Sequence, residues 1–90
     1  MAFTREEAVE RARKDLAERI GGTNITEDAV EDADFPDMAL GAAGKGEMSG
    51  QMITPGWLIR LSANGQSFEY RANKHQVRLY DYKGANYRIQ

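Results

Sequence analysis

The sequence predicts an α+β fold, with one N-terminal helix packed on an antiparallel meander sheet of three to five strands. Three observations carry this. Residues 4–20 show a single apolar stripe at helical spacing behind a capping signal. An Asn64-Gly65 pair divides two segments of alternating apolar and polar residues. Further alternating segments follow at short intervals, each separated by turn residues.

The helix is expected over about 4–20. Thr4 can cap it, and Glu7 three residues later completes a capping box. Val9, Ala12, Leu16 and Ile20 form the stripe, while Glu7–Arg11, Glu10–Lys14 and Asp15–Arg19 pair acid before base on the outer surface. Gly21-Gly22 stops the helix with a residue free to take the left-handed cap. One stripe buries one side only, so this helix needs a sheet beneath it.

Residues 25–35, ITEDAVEDADF, read two ways. Propensity favours a short acidic helix capped by Thr26, and an edge strand blunted by its charges is the alternative. A long connection is expected over 36–56. It holds Pro36, Pro55 and five of the nine glycines, without periodicity before Gln51.

Strands are expected over 57–63 and 66–72. A two-residue Asn-Gly turn sets their register, because both turn positions tolerate positive φ. Leu61 then faces Phe68, Ile59 faces Tyr70 and Trp57 faces Ala72 on the core side. Arg60 opposes Glu69 and Leu58 opposes Arg71 on the other side, so charge pairing supports the same register. A strand over 76–82 continues the core through Val77 and Leu79 and sends Arg78, Tyr80 and Tyr82 outward. A short last strand is expected over 86–90.

Ninety residues predict one domain spanning 1–90, 41% hydrophobic and 29% charged, which opposes disorder. The chain has no cysteine, so its core is expected to hold without disulfides. No apolar window reaches membrane length and the N-terminal stretch has no apolar signal core, which together predict a cytoplasmic protein without membrane association. Net charge is −2, but residues 1–53 carry −6 and residues 54–90 carry +4. The weakly acidic total disfavours nucleic acid as a partner.

The segments FPDMALG (35–41), ITPGWLIRL (53–61) and FEYRA (68–72) together resemble a family of small, mostly uncharacterised bacterial domains with the pattern W-P-D-x-x-L-G-C, T-P-G-Y-x-I-x-L and Y-E-Y-H. LAERIG (16–21) is similar to the helix that opens its members. The resemblance covers about Leu16 to Tyr80 and implies a strand over 25–35, where the family alternates Val and Glu. It also implies two cysteines that bridge the loop to the last strand, in relatives that look exported. The matching positions here are Ala42 and, approximately, Tyr80. Loss of both suits a reducing compartment. Arg71 stands where the family has histidine, so no role of that histidine carries over. The resemblance implies a fold and no settled activity.

Catalytic signals are sparse. GAAGKGEMSG (41–50) superficially suggests a phosphate loop, but Ala39 occupies a required glycine position, Gly46 stands where Ser or Thr should follow Lys45, and a strand follows instead of a helix. His75 is the single histidine, which with no cysteine disfavours a transition-metal site. The acids Glu27, Asp28, Glu31, Asp32, Asp34 and Asp37 lack the central glycine of a calcium loop and read better as a solvated edge. Ser49, Ser62 and Ser67 find no base beyond His75. The expectation is no enzyme, no cofactor and no metal.

Two binding surfaces remain. Met38, Lys45, Glu47, Met48 and Met52 lie in the 36–56 loop, and methionine is over-used on adaptable protein-binding surfaces. This predicts a binding or regulatory module with an unidentified protein partner, with an inhibitor-like loop as one form of it. Methionines folded inward against the sheet are the competing expectation. The other surface is an exposed sheet face carrying Arg60, Arg71, Arg78, Tyr80 and Tyr82, suited to single-stranded nucleic acid. Glu69 in its midst opposes that reading. A monomer or weak homodimer is expected.

Overall fold

The computed structural model describes residues 2–22 and 24–90. Helix α1 spans Arg5–Ile20, and strands β1 (Thr26–Phe35), β2 (Thr54–Ala63), β3 (Gln66–Ala72), β4 (Val77–Tyr82) and β5 (Ala85–Arg88) follow. The five strands form one antiparallel sheet in sequence order. Residues 26–35 are therefore a strand, against their helical propensity. Pairing with β2 and burial of Phe35 outweigh a preference worth only tenths of a kcal/mol per residue.

The helix begins as its sequence dictates. Thr4 accepts from the Glu7 amide at 3.1 Å, and the Glu7 carboxylate accepts from the Thr4 amide at 2.9 Å. Gly21 closes it in the left-handed region at φ 69°. Ala8, Val9, Ala12 and Leu16 face the sheet, and Ile59, Leu61, Tyr70, Ala72, Val77 and Leu79 receive them. The β2–β3 register matches the sequence reading, with Leu61↔Phe68, Ile59↔Tyr70, Trp57↔Ala72 and Arg60↔Glu69.

One polar network crosses this core. The Tyr70 hydroxyl donates to Asp15 at 2.8 Å, and Asp15 also accepts from Arg19 at 2.7 Å. Burial, reinforced by the bond to Asp15, raises the Tyr70 pKa and keeps its hydroxyl protonated. The network pins the helix at one rotation over the sheet, because a slipped helix would strand the buried hydroxyl.

Two expectations need correction. Tyr82 does not join Arg78 and Tyr80 on the outer face. The β4–β5 register breaks between Leu79 and Tyr82, with Asp81 at φ 50°. This irregularity turns Tyr82 to the helix side, where it packs near Phe68 and beneath Arg19. Nor is the outer sheet face open. Residues 36–53 fold back across it, burying Ala39, Leu40 and Ala42. The sheet is thus covered by the helix on one side and by the loop on the other.

Candidate functional site

The loop has no strand partner along its first half, so its carbonyls need other donors. The outer sheet face supplies them. Gln76 Nε2 donates to the Met38 carbonyl at 2.7 Å, Arg71 Nη1 to Leu40 at 3.0 Å and Arg78 Nη1 to Ala42 at 3.3 Å. Asn86 Nδ2 reaches the Ala43 carbonyl at 3.0 Å. Alternate residues 38, 40 and 42 thereby turn their carbonyls down to a row of side chains from β3, β4 and Gln76 just before β4.

The loop also stiffens itself. Asp37 Oδ1 accepts from the amides of Ala39 and Gly41, both at 2.9 Å. Ser49 Oγ accepts from Ala39 at 2.9 Å, and the Met38 amide donates to the Gly50 carbonyl at 2.9 Å. Gly41 sits at φ 66°, and an added Cβ would lie 2.6 Å from Arg71 Nη1. Glycine is needed there for conformation and for space.

Arg78 is the central anchor. Its side chain is 3% exposed. Both its Nη atoms meet Glu47, at 2.7 Å each, and its Nε donates to Gln76 Oε1 at 2.6 Å. This bidentate pairing, with a further bond from the Gly44 amide, lowers the Glu47 pKa from 4.5 to about 2. Arg71 is held between Glu69, 2.8 Å from its Nε, and the ring of Tyr80, 3.7 Å from its guanidinium carbon. Ala42, where the family resemblance implies a disulfide, is fully buried and reached by Arg78. Charge-assisted hydrogen bonds hold this loop in the absence of a disulfide.

The sequence-derived candidates separate accordingly. Met38, Met48 and Met52 are exposed by 52%, 94% and 63%, and Ile53 beside them by 70%. They do not fold inward. Lys45 is exposed at the loop tip, whereas Glu47 is committed to Arg78. Of the sheet-face set, Arg78 and Arg71 are used internally, Tyr80 lies under Arg71, and Tyr82 is on the opposite side. Arg60 alone of the five is exposed. Gln76 and Asn86 escaped the sequence reading, since neither stands in a recognisable pattern.

Other candidates stay apart from the loop. His75 is exposed in the β3–β4 turn, its amide bonded to Asn73 Oδ1 at 2.8 Å. Glu27, Asp28, Glu31, Asp32 and Asp34 are exposed along edge strand β1. Among the described residues, no group of three or more His, Cys, Asp or Glu could hold a metal ion. No helix there is long and apolar enough to cross a membrane.

No curated protein and no solved structure matches the chain. A family model described as "Domain of unknown function (DUF8738)" matches residues 9–80, which is most of the chain, and the chain belongs to that family.

Proposed function

We propose that this protein is a non-catalytic binding module that presents its 36–56 loop to a protein partner. The observation that carries this is where the apolar surface lies. Among the described residues five large hydrophobics are exposed: Met38, Met48, Met52 and Ile53 belong to the loop, and Tyr87 alone of the five lies elsewhere. Because Arg71, Gln76 and Arg78 already fix the loop backbone, binding need order only the side chains, and methionine adapts its shape to a partner. The internal use of Arg71 and Arg78 removes support from the nucleic-acid reading.

Deleting the loop is a poor test, because it would uncover Arg78. A triple Met38→Ser, Met48→Ser, Met52→Ser variant changes only exposed side chains. It should keep the wild-type melting temperature and lose a partner that the wild type captures. Equal capture by the variant, or no specific capture by the wild type, would refute the proposal.

A further inference from the structure

We propose that the same loop carries a thioether site for a soft monovalent metal ion, Cu(I), made by the sulfur atoms of Met38, Met48 and Met52. The inference starts from Gly50. The Met38 amide donates to the Gly50 carbonyl, which sets the two residues side by side although twelve positions separate them. The Met38 sulfur lies 2.6 Å from the point where a Gly50 Cβ would stand. It therefore occupies the side-chain position that glycine leaves vacant.

The chain runs from Glu47 to Ile53 without a turn or bend. In an extended segment residues two apart project to the same side. Met48 and Met52 stand two positions either side of Gly50, against which the Met38 sulfur rests, so an extended course over 48–52 would turn both toward that sulfur. All three side chains are exposed, and each has three rotatable bonds with which to converge.

Apart from the neutral Gln51 amide, the loop's oxygen-donor side chains are already engaged. Glu47 is bound to Arg78, Asp37 to two backbone amides, and Ser49 to Ala39. The chain has no cysteine. What remains is a set of neutral, polarizable sulfur ligands, which select Cu(I) over Zn(II), Mg(II) or Ca(II). The fixed backbone holds the Met38 thioether against the segment that carries the other two, whose exposed side chains would close on the ion.

This site does not rest on the protein-binding proposal, and leucine variants separate the two. Leucine keeps apolar volume and removes the sulfur. The test titrates protein labelled with 13C at the methionine methyl groups with Ag(I), a soft monovalent probe, in chloride-free buffer. The Met38, Met48 and Met52 methyl signals should shift together and saturate at one equivalent, with no shift from Zn(II). Met38→Leu and Met48→Leu should each weaken Ag(I) binding by about tenfold or more, at least the loss seen when a ligand's supporting contact is removed. Gly50→Ala, whose Cβ would meet the flexible Met38 side chain first, should weaken it as well while the fold is retained. Independent, non-saturating shifts, or leucine variants that bind Ag(I) as the wild type does, would overturn the site.

Discussion

Replacing Glu47 with alanine asks whether an ion pair substitutes for a covalent clamp on the loop. Arg78 would keep Gln76 Oε1 and the Ala42 carbonyl but lose both carboxylate oxygens at 2.7 Å. Breaking a buried pair from one side costs about 3–5 kcal/mol, chiefly because the remaining charge stays buried. Glu47 is 35% exposed against 3% for Arg78, so water can replace part of the carboxylate. The expected loss is about 2–3 kcal/mol, near the upper range for a hydrogen bond to a charged group. In a chain of this size that lowers the melting temperature by roughly 10–20 °C.

Urea unfolding of both proteins measures the difference. Amide exchange should also quicken in residues 38–50 and stay slow in β2 and β3. A Glu47→Ala, Arg78→Met double variant should recover part of the loss, since it no longer buries an unpaired charge. A change below about 0.5 kcal/mol in the single variant, the range of an ordinary surface substitution, would refute the anchoring role.

Glu47 also predicts a pH dependence. Its pKa is depressed in the folded state, so its contribution is complete above 4.5 and disappears as pH falls towards about 2. Wild-type stability should lose this component on acid titration, and Glu47→Ala should not; parallel curves would contradict the assignment. Gly56→Ala would drive a Cβ into the Ala72 carbonyl oxygen and against Phe35. It should destabilise by about 1–3 kcal/mol through overpacking, measured by thermal melting, and a neutral result would contradict that close approach. Leu16→Ala empties a fully buried site between the helix and the sheet. A loss of about 2–5 kcal/mol is expected in urea, and less than 1 kcal/mol would mean the helix is not docked there.

Much of the fold was legible because its signals are local. The Thr4–Glu7 capping box, the helix stripe and the Asn64-Gly65 turn each act within a few residues, and the turn's geometry then sets the β2–β3 register. Residues 26–35 are ambiguous in sequence because their composition suits a helix while their state depends on a partner strand 19 to 36 positions away. Tyr82 was misplaced because strict alternation fails at an irregularity, and Asp81 gives no sign that it takes a positive φ.

The site divides along the same line. The sequence alone settled which residue types the loop offers: methionines, glycines, one lysine and one glutamate, with no cysteine to tie them down. It could not settle which way they face. Arg71 and Arg78 read as a binding surface until the loop is seen to lie across them, because a guanidinium meets solvent, ligand or a backbone carbonyl with the same five donors. Only the folded chain brings the carbonyls of Met38, Leu40 and Ala42 over that row of donors. By satisfying the loop's backbone from beneath, it leaves the methionine side chains outside.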